Sequence, residues 1–146
     1  MSESNADAHG AGRDGASDAA RNAAGPVIIR PARRDEVGAV WEMVLALAEY
    51  EKLSDRVTGS AAKLEEQLFG PRPIVECLVA ERAGALIGYA LFYPTYSSFR
   101  SQPMMWLEDL YVRPEARGSG AGRALLQKLA AIVLERGGWR LSWEVL

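Results

Sequence analysis

The spacing of hydrophobic and polar residues divides the chain into strand-like and helix-like segments. Short runs rich in β-branched and aromatic residues predict five strands. They cover Val27–Arg30, Ile74–Glu81, Ala85–Tyr96, Met104–Val112 and Trp139–Leu146. Apolar residues that recur at intervals of three and four predict helices within Arg33–Leu53, Ser60–Phe69 and Ala124–Val133. The resulting order, β-α-α-β-β-β-α-β, predicts an α/β domain with a mixed central sheet.

Two connections determine how the strands run. The pair Ala83-Gly84 separates the second strand from the third by a tight turn, which predicts an antiparallel hairpin. A helix separates the fourth strand from the fifth. Such a crossover requires these two strands to run parallel, with a right-handed connection.

Composition narrows the classes of function open to this domain. The chain has 146 residues, about half of them apolar, and a formal net charge of −2, so it can bury a core without an excess of positive charge. Nucleic acid and membranes are therefore not expected as partners, and no apolar run has the length that spans a bilayer. The single histidine, His9, and the single cysteine, Cys77, argue against a His-based triad, a metal site and a disulfide framework. A reducing cytoplasm fits this cysteine usage.

The beginning of the chain differs from the rest. Met1–Gly25 is a low-complexity stretch of Ala, Gly, Ser, Asn and Asp, and it contains no apolar segment typical of a signal peptide. Such a stretch cannot bury enough surface to offset its chain entropy. We expect a disordered tail over residues 1–25 and one domain over residues 26–146.

A glycine-rich turn between the fourth strand and the last helix gives the strongest chemical signal. It runs from Arg117 to Gly122, with glycine at 118, 120 and 122, and Arg113 and Arg123 lie on either side. Free N–H groups and the positive end of the helix dipole meet at such a turn, and glycine lets an anion approach the backbone. An ordinary tight connection is the alternative, but three alternating glycines flanked by arginines favour a phosphate site. Neither the nucleoside-triphosphate loop nor the dinucleotide fingerprint fits, because Arg123 stands where each needs another residue.

These residues resemble the signature of the GNAT superfamily of N-acetyltransferases, in which Arg/Gln-x-x-Gly-x-Gly/Ala follows the fourth strand. The resemblance extends from Val27 to Leu146. The segments LAEYEKL, GYALFYPTY and LEDLYVRPEARGSGAG are most similar to the diamine (spermidine/spermine) or thialysine acetyltransferase branch. The resemblance implies the GNAT fold, acetyl-CoA as cosubstrate, and direct transfer of the acetyl group to a primary amine of a small molecule. A catalytically impaired fragment that binds CoA or a partner is the alternative.

The resemblance also implies which residues hold the cosubstrate. The backbone of the fourth strand at Leu110, Tyr111 and Val112 would bind the pantetheine arm and the thioester carbonyl. The pyrophosphate would lie on the glycine turn, at Arg117, Gly118, Ser119, Gly120, Ala121, Gly122 and Arg123.

Two adjacent carboxylates in the fourth strand are candidates for chemistry on the amine. An alkylamine is mostly protonated at neutral pH, so a carboxylate near the thioester must take its proton. The resemblance assigns amine binding and deprotonation to Glu108 and leaves a structural role for Asp109. A satisfied ion pair is the alternative for both. Regular alternation along a strand predicts that the two side chains lie on opposite faces of the sheet.

Further contacts with the substrate are implied at the ends of two other elements. They are Tyr50 and Glu51, which end the first helix, and Ser142, Trp143 and Glu144 in the fifth strand. A solvated helix end is the alternative for the first pair. Polyamine-acetylating members carry an acidic residue where this chain has Ser97-Ser98, which leaves room for a lysine-like or thialysine-like amine.

The family pattern continues beyond the fifth strand. It adds a helix with a tyrosine that protonates the leaving thiolate, and then a final hairpin, and neither is present in this sequence. From this difference we expect the 146-residue chain to bind CoA weakly, to self-associate and to turn over slowly. A longer chain would be an active homodimer.

Overall fold

A computed structural model describes residues 25–145, so the predicted tail lies outside the described residues except for Gly25. The α-helices are α1, Val37–Tyr50; α2, Ala61–Phe69; and α3, Ala121–Glu135. The strands are β1, Ile28–Pro31; β2, Glu76–Arg82; β3, Ala85–Ser97; β4, Gln102–Val112; and β5, Leu141–Ser142. Among the described residues, no helix has the length and apolar character needed to cross a bilayer.

The strands form one five-stranded sheet in chain order, β1-β2-β3-β4-β5. Pairing is antiparallel from β1 to β4, and β5 runs parallel to β4. At the β2–β3 turn, Ala83 and Gly84 have φ of +52° and +78°, the left-handed conformation that a tight two-residue hairpin turn requires. The predicted element order, the hairpin and the parallel last pair are all confirmed.

Helices on both faces of the sheet create two hydrophobic cores. α1 and α2 cover one face, where Val40 of α1 packs with Val79 and Tyr89 of the sheet. α3 covers the other face through Leu125 and Leu129. All five side chains are fully buried. Burial of each contributes about 1.5–3 kcal/mol, so the two cores hold the helices against the sheet.

Local hydrogen bonds determine where the first two helices begin. The Ser60 hydroxyl accepts a hydrogen bond from the Lys63 N–H at 3.2 Å and so caps the start of α2. The first helix starts later than the predicted Arg33, because a 3-10 turn at Arg34–Glu36 precedes α1. In that turn the Arg33 N–H donates to Glu36 Oε1 at 2.8 Å.

The fifth strand is much shorter than predicted. Only Leu141 and Ser142 pair with β4, opposite Met105 and Trp106, although the apolar pattern extends over Trp139–Leu146. The pairing ends where β4 becomes irregular, as described below. A strand needs a regular partner for its backbone groups, so hydrophobic character alone does not extend it.

Two ion pairs of Arg30 join β1 to the start of α1 and to β2. The Arg30 guanidinium donates to Glu36 at 2.7 and 2.8 Å and to Glu81 at 2.7 Å. The hydrogen bond from Arg30 is the main reason why the pKa of Glu36 falls from its ordinary 4.5 to about 2. The ionised carboxylate therefore stabilises the fold.

We expect Glu36→Gln to lower the free energy of unfolding by about 2 kcal/mol at neutral pH, the size of a charged hydrogen bond. Because the folded-state pKa is depressed, the contribution is complete above 4.5 and is lost as the pH falls towards about 2. Urea denaturation at a series of pH values measures the difference. Glu42→Gln, at an exposed position of α1, is the control. A difference that stayed constant down to the lowest pH would contradict the role of the charge.

Candidate active site

An irregularity in β4 determines the geometry of the candidate site. Leu91 of β3 lies opposite Asp109, but the next residue, Phe92, lies opposite Leu107. Glu108 is therefore an extra residue without a partner on β3, which defines a β-bulge. The bulge coincides with the first of the two acidic residues in this strand.

The bulge shifts the alternation of side chains along β4 by one residue. Leu107 belongs to the core beneath α3, whereas Tyr111, four residues later, belongs to the core beneath α1. In a regular strand, residues at an even spacing share one face. The predicted opposite placement of Glu108 and Asp109 is wrong for this reason, and both residues line the same cavity.

The strands β4 and β5 separate at the same point. Met105 and Trp106 pair with β5, whereas none of the described β5 residues pairs with Leu107–Val112. A gap therefore opens beside the backbone of β4. This segment includes Leu110, Tyr111 and Val112, for which the family resemblance implies contacts with a thioester and its pantetheine arm.

A cavity of about 340 Å³ lies at this gap and is strongly acidic. Its polar lining consists of four carboxylates, from Glu51, Glu108, Asp109 and Glu144. Its other walls are hydrophobic, from Leu47, Leu107, Leu110, Leu126, Trp106 and Trp143. Within residues 25–145 no lysine or arginine forms an ion pair with these carboxylates, and no group of three or more potential ligands is arranged to hold a metal ion. An organic cation would neutralise charge that the protein leaves unpaired.

Glu108 lies at the mouth of this cavity. Its side chain is exposed, and Trp106 Nε1 donates a hydrogen bond to its Oε2 at 2.9 Å. The indole orients the carboxylate but adds no positive charge. Acceptor capacity therefore remains for a ligand, as a general base requires.

Asp109 lies deeper and is partly buried. Tyr89 Oη donates a hydrogen bond to Asp109 Oδ2 at 3.0 Å. Burial raises the pKa of Asp109, the hydrogen bond from Tyr89 opposes this, and the negative charges of Glu108 and Glu51 raise the pKa further. Among residues 25–145 no lysine or arginine pairs with Asp109, so the satisfied ion pair that the sequence left open is not formed there.

The glycine turn holds backbone donors that have no acceptor among the described residues. Gly118 and Gly120 have φ of +83° and +88°, and a Cβ atom at either position would meet no atom within 4 Å. The Ala121 N–H donates to Ser119 Oγ at 3.3 Å. Within the described part of the chain, no acceptor is bonded to the N–H groups of Gly118, Gly120, Gly122 and Arg123. Free donors at the positive end of α3 suit an anion.

The arginines around the turn differ in their contacts. The Arg117 guanidinium lies 4.9 Å from the centroid of the Tyr50 ring, and its Nε donates to the Val112 carbonyl at 3.3 Å. Arg113 Nε donates to the Leu86 carbonyl at 2.9 Å, so this charge supports the sheet instead of the turn. Arg117 connects the glycine turn to the end of α1.

The predicted substrate contacts are only partly brought together. Glu51, Trp143 and Glu144 line the cavity with Glu108. Neither Tyr50 nor Ser142 lines the cavity. Tyr50 is exposed and lies beneath Arg117, and Ser142 pairs with β4. Of the predicted cosubstrate residues in β4, Leu110 lines the cavity, while the Tyr111 ring is buried in the core beneath α1.

A larger cavity, of about 480 Å³, contains none of the predicted site residues. Its lining is mainly apolar and includes Cys77, Phe92 and Ile132. The charged residues at this cavity, Glu76 and Arg136, neutralise each other across 2.6 Å. We therefore assign the chemistry to the smaller, acidic cavity.

Comparison with known proteins identifies the family. Residues 41–146 match the acetyltransferase (GNAT) family. The chain belongs to the GNAT family. It is 39% identical over 128 residues to a thialysine N-epsilon-acetyltransferase of Bos taurus, covering 82% of this chain and 75% of that protein. A protein of the same name from Sus scrofa is 40% identical over 119 residues, covering 76% of this chain and 69% of the relative. The chain is an N-acetyltransferase.

Solved structures confirm the GNAT fold. A ribosomal-protein-alanine N-acetyltransferase from Brucella melitensis biovar Abortus 2308 superposes with a TM-score of 0.66 at 21% identity, covering 82% of this chain and 80% of that one. An aminoglycoside acetyltransferase from an uncultured soil metagenomic sample gives a TM-score of 0.69 at 13% identity, covering 82% and 78%. At these identities the likeness concerns the fold alone.

Sequence reasoning gave no site role to four residues that line the acidic cavity of this GNAT domain, Leu47, Trp106, Leu107 and Leu126, or to Tyr89, which contacts Asp109. Leu47 lies one helical turn before Glu51, a spacing that the helical pattern could have revealed. Leu126 carries the same kind of signal in α3. The role of Tyr89 had no signal, because its contact with Asp109 joins two strands through the interior.

Proposed function

We propose that this GNAT enzyme transfers the acetyl group of acetyl-CoA to the terminal primary amine of a small molecule, either a lysine-like amino acid such as thialysine or a diamine. The acidic cavity is the observation on which the proposal depends. An alkylammonium group is cationic and donates hydrogen bonds, so it matches carboxylates that form no ion pair with a lysine or arginine among the described residues. The relatives named thialysine N-epsilon-acetyltransferases support the choice of a lysine-like amine.

The glycine turn fits the pyrophosphate of acetyl-CoA. Its free N–H groups at Gly118, Gly120, Gly122 and Arg123 can each donate to a phosphate oxygen. The space beside Gly118 and Gly120 is open, so a ligand can approach the backbone closely. When bound, acetyl-CoA would supply an activated thioester next to the unpaired edge of β4.

Within this proposal, Glu108 accepts the proton of the amine. An ammonium group has no lone pair, so it must lose a proton before the nitrogen can attack the thioester carbonyl. Glu108 is exposed at the cavity and oriented by Trp106, so its carboxylate can take that proton directly or through a water molecule. Glu51 and Glu144 hold the positive charge of the substrate near this base.

The burial of the only cysteine of the chain is consistent with direct transfer of the acetyl group to the amine. Cys77 is buried, and burial raises the pKa of its thiol to about 12, so the thiol stays neutral at physiological pH. It also lies outside the acidic cavity. We therefore propose no covalent acetyl-enzyme intermediate at this residue.

The homodimeric state and the cytoplasmic location stay predictions from the sequence. Sedimentation equilibrium would test the homodimeric state.

The first test follows release of free thiol from acetyl-CoA with a panel of amines that includes thialysine, lysine, spermidine and a simple diamine. We expect thialysine or lysine to accelerate thiol release, with acetylation of the terminal amine confirmed by mass spectrometry. An N-acetylated amino acid without a second amine serves as the control acceptor. Thiol release that no amine accelerates would refute the proposed function and favour a CoA-binding role.

Replacement of the proposed base tests its function directly. Glu108→Gln should leave acetyl-CoA affinity nearly unchanged and lower kcat by about 100-fold, the usual contribution of general base catalysis. The loss should be greatest below the pKa of the amine, where more of the substrate needs deprotonation. The control is Glu115→Gln, because Glu115 is exposed in a 3-10 turn and does not line the cavity. An equal loss at every pH would indicate that Glu108 positions the amine without taking its proton.

Replacement of Gly120 tests the cosubstrate site. Gly120→Val should abolish CoA binding, because the new side chain would enter the open space next to the turn and block the approach of the pyrophosphate. Gly137→Val is a matched control, since Gly137 has a similar φ of +71° and open space but follows the far end of α3. Calorimetry with CoA compares the two, with ATP as a competitor that should not displace CoA. Equal losses in both variants would indicate backbone strain instead of a blocked site.

A further inference from the structure

The hydroxyl of Tyr89 lies where packing alone does not require one. Tyr89 of β3 is fully buried in the core beneath α1. The centroid of its ring lies 6.2 Å from that of Tyr111. Phenylalanine would fill the same space without the cost of removing a hydroxyl group from water. The one hydrogen bond of this hydroxyl among the described residues is donated to Asp109 Oδ2 at 3.0 Å.

The two oxygens of Asp109 have different surroundings. Oδ2 accepts the hydrogen bond from Tyr89, and within residues 25–145 Oδ1 has no hydrogen-bond partner. No fully buried side-chain oxygen in this part of the protein lacks a partner, so Oδ1 must be accessible. Because Asp109 lines the acidic cavity, its accessible oxygen is available to a ligand there.

Within residues 25–145, the other titratable groups that act on Asp109 or line its cavity are acidic or neutral. Glu108 adjoins it on β4, Glu51 faces it from the end of α1, and Glu144 lines the same cavity beyond β5. On β2, Cys77 lies in the same core as Tyr89, and its thiol is neutral because its pKa is raised to about 12. Among the described residues, the Tyr89 hydroxyl is thus the donor that favours the ionised form of Asp109.

We propose that Asp109 is a second carboxylate that binds the substrate ammonium group, and that Tyr89 is a positioning residue that holds Asp109 for this contact. The inference rests on the proposed function, since it concerns the cavity to which the amine is assigned. The bulge places Glu108 and Asp109 at one cavity, so the two can bind the ammonium group together. Glu108 remains the proton acceptor, and Asp109 contributes charge and a hydrogen bond.

Removal of the Tyr89 hydroxyl should change how Asp109 responds to pH. The hydrogen bond from Tyr89 favours the carboxylate, so Tyr89→Phe should raise the pKa of Asp109 and leave it protonated up to a higher pH. The affinity for thialysine should then fall by about tenfold at the acid end of the range and recover as the pH rises. Asp109→Asn should weaken thialysine binding wherever the wild-type Asp109 is ionised, and Tyr89→Phe should add nothing further in that background.

Carbon-13 NMR of the Asp109 carboxyl group tests the pair without any substrate. The titration curve of Tyr89→Phe should lie at higher pH than that of the wild type. Tyr93→Phe is the matched control, because Tyr93 is a half-buried tyrosine of the same strand whose hydroxyl has no hydrogen bond within the described residues. If Tyr89→Phe fails to fold, 3-fluorotyrosine at position 89 has a more acidic hydroxyl and should move the curve to lower pH.

The outcomes separate this inference from the proposed function. Coincident titration curves, or an equal loss of thialysine affinity at every pH in Tyr89→Phe, would refute the positioning role of Tyr89 and leave acetyl transfer untouched. Full thialysine affinity in Asp109→Asn would refute the role of Asp109 in binding. Failure of every amine to accelerate thiol release would refute the proposed function, while the titration would still decide whether Tyr89 controls Asp109.

Discussion

The β-bulge at Glu108 is the constraint on which the candidate site depends. One extra residue in β4 reverses the alternation of side chains beyond it, so that Leu107 and Tyr111 enter different cores. It places both acidic residues of the strand at one cavity, and the pairing with β5 ends just before it. A regular strand would have sent the carboxylates to opposite faces and left less room for a ligand beside the backbone.

The electrostatics of the site follow from this geometry. Four carboxylates line one cavity without an ion pair to a lysine or arginine among the described residues, whereas other acidic residues, such as Glu36 and Glu76, bind arginines closely. Burial raises the pKa of Asp109, and the like charges of Glu108 and Glu51 raise it further. Such an arrangement is costly for stability and useful for binding a cation, as is common at active sites. The glycine turn, whose Arg117 lies over the Tyr50 ring at the end of α1, holds N–H groups with no acceptor among the described residues.

Much of the fold could be predicted because its signals are local. The turn at Ala83-Gly84, the cap at Ser60 and the periodic helices each depend on residues close in sequence. The fifth strand shows the limit of this approach. Its apolar pattern extends to Leu146, yet only Leu141 and Ser142 pair, because the length of a strand depends on the shape of its neighbour.

The sequence by itself determined the glycine turn, the order of the elements and the presence of an acidic pair in an apolar strand. It could not determine the bulge, because the residues on both sides of Glu108 and Asp109 are apolar and show no alternation whose phase could be followed. Nor could it reveal the hydrogen bond from Tyr89 to Asp109. Tertiary structure decided both, because the register between two strands depends on how each packs against the helices, and no residue encodes that packing alone.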